Sequence, residues 1–195
     1  MSRRPAPIVL SEDRFVIHQE QEHQADFAPH HKKYFNEHIV PIIKNRRFGE
    51  ATKAAEIVEG IWLGDATDAM DTETLTEKKV SCVVNCAEKH TLTCGEYYPF
   101  GWNYLGLGCD DHASYDILGN HLSEFCEFMD MCIGEKKGVL VHCVAGINRS
   151  ATLLIAYLVE RRGMRLIDAI SLCFQKRPII LTNEAFAVSL VERFL

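Results

Sequence analysis

The rhythm of apolar and polar positions changes near residue 55. Residues 1 to about 28 are polar and mixed, ending in "HQEQEHQADF", and read as a poorly ordered arm or a loosely docked extension. In 30–47, Phe35, Ile39, Ile42 and Ile43 fall at helical spacing around Pro41, so a helix that breaks or kinks there is expected. From Ala55 onward short apolar runs alternate with helical periods. "IVEGIWLGD" predicts a strand pair, and "TETLTEKK" a short helix. "VSCVVNCAE", "WNYLGLG" and "VLVHC" predict further strands. The first and last of these are apolar without alternation, as strands covered on both faces are. "YDILGNHLSEFCEFMDMCIGEKKG", "RSATLLIAYLVERRG", "RLIDAISLCFQKR" and "NEAFAVSLVERFL" carry helical periods, the second closed by Gly163. Strands alternating with helices imply an α/β domain: a central, mostly parallel twisted sheet flanked by helices. The expected division is an extension over 1–54, partly disordered or helical, and one domain over 55–195.

Composition narrows the function classes. A chain of 195 residues, 47% hydrophobic and 25% charged, can bury a proper core. The formal net charge of -6 argues against a general binder of nucleic acid or anionic membrane. No apolar run approaches the roughly 20 residues a membrane span needs. The eight cysteines sit mostly inside apolar runs and form no CxxC pair. They read as free thiols in a reducing compartment, cytoplasmic or nuclear. The histidines match no standard metal-ligand spacing, so no metal and no other cofactor is expected. The basic "KNRR" at 44–47 reads as a solvated turn before a docking motif.

The chemistry concentrates in "VLVHCVAGINRSATLL" at 139–154. Such a strand-to-helix junction is where α/β folds bind ligands. Backbone N–H groups of the first helical turn face the loop, and the helix dipole adds positive charge. The five residues Val144, Ala145, Gly146, Ile147 and Asn148 suffice to curl the chain around a tetrahedral anion. Gly146 permits the turn, and Arg149 can grip two oxygens with its fork. The same field favours the nucleophilic thiolate of Cys143 at the base of the cradle.

"HCVAGINRSATLLIAYL" resembles the signature of the dual-specificity protein phosphatases, within the cysteine-dependent protein tyrosine phosphatase superfamily and of the small atypical type. Their usual form is His-Cys-x-x-Gly-x-x-Arg-Ser, often continuing Ala-Thr and then Ala-Tyr-Leu. "IVEGIWLGDATDA" and "VVNCAE" resemble the family's opening and next core strands, so the resemblance covers about 55–195. It implies a protein-tyrosine-phosphatase-like fold. It also implies hydrolysis of phosphotyrosine and phosphoserine/threonine in proteins through a cysteinyl phosphate, with Cys143 as nucleophile and Arg149 as phosphate ligand. Phosphorylated proteins, kinases among them, are the implied partners, with no nucleic acid and no membrane.

Protonating the leaving group needs an acid. Asp110, Asp111 and Asp116 all follow the strand "WNYLGLG", and physics alone does not choose among them. In the resembling family the acid lies about thirty residues before the nucleophile and about five before a helix-opening Asp or Asn. That implies Asp111 as acid and Asp116 as cap. The resemblance also implies that Ser150 assists release of the Cys143 thiolate and that His142 orders the loop. Asn183, in "RPIILTNEAF", is implied as a loop brace, although Thr182 and Ala185 replace the family's usual Pro and Gly. "NCAEKH" resembles a segment of a tumour-suppressor lipid phosphatase whose cysteine pairs with the nucleophile. Cys86 is thereby a candidate disulfide partner of Cys143 under peroxide, with a buried structural thiol as the alternative. The neutral "VAGIN" disfavours a lipid substrate. Asn148 replaces the commoner Ser and resembles RNA triphosphatases, which keeps an RNA 5′-phosphatase as a minor alternative. The competing class is a phosphoprotein-binding module without turnover; intact Cys143, Arg149 and Asp111 argue against it.

Overall fold

The structure is a computed structural model that describes residues 27–45 and 53–195. The expected arm before Phe27 and the two arginines of "KNRR" lie outside the described residues.

Among the described residues, five strands form one sheet: β1 (Ala55–Val58), β2 (Ile61–Gly64), β3 (Val80–Asn85), β4 (Asn103–Gly106) and β5 (Gly138–His142). Their order is β1-β2-β5-β3-β4. Only β1 and β2 pair antiparallel; every other neighbour is parallel. All five residues of β5 are buried, which is why "VLVHC" shows no alternation. Val139 and Val141 enter the large core, whereas Leu140 faces a smaller one with Ala69, Leu75 and Val80.

The smaller core is covered by α3 (Ala66–Met70) and α4 (Thr72–Glu77). Asp65 and Asp68 form a capping box at the start of α3, each side chain bonding the other's backbone N–H. Five residues are too short for a helical period to show, so nothing in the sequence predicts α3.

The large core holds α5 (Ile117–Gly134), α6 (Arg149–Glu160), α7 (Leu166–Lys176) and α8 (Glu184–Phe194). Ten consecutive residues of α6, from Arg149 to Leu158, are buried. A helix apolar on nearly all sides belongs in the middle, and α6 packs against β5, α5, α7 and α8. It ends where Gly163 turns with φ +67°.

Residues 29–44 form a continuous helical rod: α1 (Pro29–Tyr34), a π-helical turn (Phe35–Ile39) and α2 (Val40–Lys44). Pro41 was expected to break or kink the helix. The α-helical ladder is interrupted by the wider turn just before it, with Val40 N–H bonded to the Phe35 carbonyl five residues back. Loosening the ladder there accommodates a residue that lacks an N–H and crowds the carbonyl four residues earlier. Phe35, Ile39 and Ile43 enter the large core, against α7 and α8.

Register aligns the carboxyl ends of the four parallel strands. Gly64 and Asn85 both pair with His142, and Gly106 pairs with Asn85. The segments that leave this row begin at Asp65, Cys143, Cys86 and Leu107. They converge over the end of the central strand.

Candidate active site

Cys143 is the first residue beyond β5 and is 1% exposed. Its Sγ accepts the Gly146 N–H at 3.2 Å and the Ser150 hydroxyl at 3.3 Å. Around it, every backbone carbonyl from Val144 to Asn148 is held by a donor outside the loop. Ala66 N–H takes the Val144 carbonyl at 3.1 Å. Arg177 takes two, Ala145 through Nη2 at 3.0 Å and Gly146 through Nε at 2.9 Å. Leu181 N–H takes Ile147 at 3.0 Å. The backbone and hydroxyl of Thr152 both take Asn148, at 2.8 Å. Its carbonyls are tied outward and the Gly146 N–H turns to the sulfur, the backbone polarity that an anion cradle requires. Gly146 sits at φ +66°, and a Cβ there would run into the Gly64 carbonyl. Both facts demand glycine.

Arg149 opens α6 beside the cradle, its side chain 8% exposed. Nη1 donates to the Cys109 carbonyl at 3.3 Å and lies 3.4 Å from His90 Nδ1. A guanidinium can only donate, so that ring nitrogen accepts. Nε has no hydrogen-bond acceptor among the described residues and sits 3.7 Å from Asp111 Oδ2. A buried guanidinium N–H without an acceptor is a donor held for one.

Asp111 reaches over this arginine from the loop after β4. Its carboxylate accepts Asn148 Nδ2 on both oxygens, at 3.2 and 3.1 Å, and Asn183 Nδ2 on Oδ1 at 3.1 Å. Asp110 is exposed on the same loop. Asp116 caps α5 through the Gly119 N–H at 2.8 Å. Asn183 precedes α8 but makes no side-chain cap bond there, since its amide faces Asp111 instead.

His142 is fully buried at the end of β5. Its Nδ1 lies 3.3 Å from the Cys143 carbonyl, which can only accept, so Nδ1 carries the proton. Burial lowers the imidazole pKa to about 4, against smaller opposing effects of that hydrogen bond and of Asp65. The ring is therefore neutral at physiological pH.

Cys86 follows β3 and is buried, its N–H bonded to the His142 carbonyl at 2.8 Å. Burial pushes its thiol well above the usual range; Cys109 and Cys143 push the same way and Arg149 opposes them. All eight cysteines are free thiols.

Two of these residues carried no functional expectation. Arg177, 2% exposed, holds the two central cradle carbonyls and pairs with Asp65 at 3.8 Å. Its signal was the Arg-Pro pair in "RPIILTN". His90 enters on a loop shaped by the buried Asn85, whose amide donates to Thr91 Oγ1 at 2.7 Å and to the Thr93 carbonyl at 3.0 Å. It closes the segment "NCAEKH", in which only Cys86 carried an expectation.

The family profile of the dual specificity phosphatase catalytic domain matches residues 61–194. The chain belongs to that family. Human dual specificity protein phosphatase 5 is 32% identical over 138 residues, 70% of this chain and 34% of that protein. The chain thus spans about a third of the length of the curated relatives it matches. Among solved structures, human DUSP28 superposes with a TM-score of 0.65 at 25% identity, over 73% of this chain and 93% of that one. The human tyrosine phosphatase-like serine/threonine/tyrosine-interacting protein superposes with a TM-score of 0.63 at 28% identity, over 72% and 95%. These neighbours share the dual-specificity phosphatase fold: a mostly parallel five-stranded sheet flanked by helices. Among the described residues, no helix is long and apolar enough to cross a membrane.

Proposed function

We propose that this protein hydrolyses phosphate monoesters on phosphorylated tyrosine, serine and threonine side chains of proteins. The observation that carries the proposal is the ring of carbonyls from Val144 to Asn148, each bonded outward around the Cys143 sulfur. A loop built this way presents N–H groups to a tetrahedral dianion and costs no reorganisation when the anion arrives.

In the first step Cys143 Sγ attacks phosphorus in line with the ester oxygen. Arg149 and the inward N–H groups of Val144 to Arg149 bind the three equatorial oxygens, on which the charge of a loose transition state is spread. The P–O bond breaks as the S–P bond forms, and Asp111 gives its proton to the leaving oxygen. In the second step the Asp111 carboxylate takes a proton from water, whose oxygen attacks the cysteinyl phosphate. Sulfur leaves as thiolate, with the Ser150 hydroxyl already 3.3 Å from it. His142 does no proton transfer in this scheme; held neutral, it braces the Cys143 carbonyl.

Release of inorganic phosphate from an aryl phosphate and from phosphopeptides tests the proposal. Turnover that disappears in Cys143→Ser supports it. Phosphopeptide binding without any turnover in the unaltered protein contradicts it and favours a binding module.

The proposal extends to oxidation. A hydroperoxide converts the Cys143 thiolate to a sulfenic acid; the Cys86 thiol then displaces hydroxide as water, leaving a Cys86–Cys143 disulfide. The two cysteines follow the paired ends of β3 and β5, with the Cys86 N–H on the His142 carbonyl, and this proximity supports the pairing. Peptide mapping after mild peroxide checks it: an unpaired Cys86 beside an oxidised Cys143 ends the idea.

A further inference from the structure

Asn148 stands at the N-cap position of α6, where an asparagine usually turns its side chain back onto its own helix. Here it makes no cap bond. Its Oδ1 accepts the Thr182 hydroxyl and the Asn183 N–H, both at 3.0 Å. Its Nδ2 lies within 3.2 Å of both Asp111 oxygens. The amide orientation is unambiguous, because the Asn183 N–H can only donate and must meet the oxygen. With that end fixed, the NH₂ has one direction left, and Asp111 is there.

The segment that fixes Oδ1 is itself held in an unusual conformation. Leu181 is buried and carries φ +55°, left-handed backbone for a residue with a branched side chain. Such a conformation persists only where the surroundings over-determine it. It turns the chain so that Leu181 N–H meets the Ile147 carbonyl while Thr182 and Asn183 both face Asn148. The two departures from the family pattern, Asn148 and Thr182, are therefore partners of one another. A serine at 148 would replace the amide's separate donor and acceptor with one hydroxyl on a shorter side chain.

We infer that Asn148 is a positioning residue that holds the Asp111 carboxylate over the cradle before substrate arrives, locked in orientation by Thr182 and Asn183. The inference rests on Asp111 being the general acid and base. Pre-placing the acid matters in proportion to how much the leaving oxygen needs a proton. An aryl oxide of low pKa leaves unaided, whereas the alkoxide of a serine or threonine does not. The side chain of Asn148 thereby weights this active site toward the poorer leaving groups.

The test is kcat/KM across aryl phosphates of rising leaving-group pKa, ending with a phosphothreonine peptide. The unaltered protein is compared with Asn148→Ser, Asn148→Asp and Asp111→Asn. Inhibition by orthovanadate reports the cradle separately. For Asn148→Ser the loss should grow along the series, from about twofold or less to about tenfold. Asn148→Asp keeps the size and the bonds to Thr182 and Asn183 but sets a like charge against Asp111. Its loss should follow the same trend, reaching about a hundredfold on the peptide. Equal loss on every substrate together with weaker vanadate inhibition would show that Asn148 only shapes the cradle, and the inference falls. No loss on any substrate would equally overturn it. If Asp111→Asn leaves the leaving-group dependence unaltered, the acid assignment itself is wrong and the positioning role falls with it. That failure is recognised by the Asp111 variant rather than by either Asn148 variant.

Discussion

The loops after β5 and after β4 face each other across the site and are held in opposite ways. The first has its backbone pinned at every carbonyl from Val144 to Asn148, with Cys143 and Gly146 buried beneath the exposed Val144 and Ala145. The second is exposed from Asp110 to Ser114 and is held over the site through side chains, those of Asn148, Asn183 and Arg149. A nucleophile and an oxyanion cradle gain from rigidity, since a misplacement of about 1 Å costs rate directly. An acid that must reach leaving groups of different shapes gains from attachments that can give. Breaking the first loop should therefore cost both folding and rate, and breaking the second should cost rate alone.

The largest expected effect is on the pinned side. Cys143→Ser should lower kcat on the order of 10⁴-fold or more while phosphopeptide binding persists, measurable by phosphate release and calorimetry. Arg177→Met comes next. It frees the Ala145 and Gly146 carbonyls and leaves Asp65 without its buried partner. A loss of about 3 kcal/mol in chemical denaturation is expected, with kcat/KM falling about a hundredfold as the cradle shifts. On the facing side, Asp111→Asn should lose about a hundredfold on a phosphothreonine peptide but stay within about 0.5 kcal/mol of the unaltered stability. A large loss of stability there would break the contrast between the two loops.

Acid should loosen the pinned side selectively. Unfolded, His142 binds a proton below about pH 6.5; folded, only below about 4. Between those values the unfolded chain holds more protons, so stability falls as pH falls through that window. The contribution of His142 between pH 7 and pH 5 is about 2 kcal/mol. His142→Asn should flatten the slope by that amount in denaturation curves. The smallest effect is where the loop after β4 enters α5. Asp116→Ala removes the cap of α5 and should cost about 1 kcal/mol.

The same contrast explains what could be read from the chain alone. Strands, long helices and the Cys143–Arg149 turn announce themselves over a few neighbouring residues, through β-branched runs, helical periods and one spacing. Cys143, Gly146, Arg149 and Ser150 lie within eight residues and stand together in the structure as their order suggested. The bracing does not lie nearby. Arg177 reaches its carbonyls across 31 and 32 positions, Asn148 finds Asp111 across 37 and Asn183 across 35, and His90 meets Arg149 across 59. Such contacts leave no periodic trace, and Asn148 in the sequence is only an unusual residue beside an arginine. The folded chain supplies the physical reason, a carbonyl facing Thr182 and Asn183 and an amide facing Asp111. That reason needs no RNA substrate. The π-helical turn before Pro41 is missed for a related cause: the wider turn leaves Phe35, Ile39 and Ile43 facing one core, so the apolar pattern runs through it.

The most direct test is to stop the reaction with alkaline denaturant during the first turnovers and locate the phosphoryl group by mass spectrometry. Asp111→Asn, which removes the proposed base of the second step, is the form to use beside the unaltered protein. One phosphoryl group on the peptide that carries Cys143, absent from Cys143→Ser, is the predicted result. A phosphoryl group on His142 or another residue, or steady phosphate release by Cys143→Ser, would contradict the account.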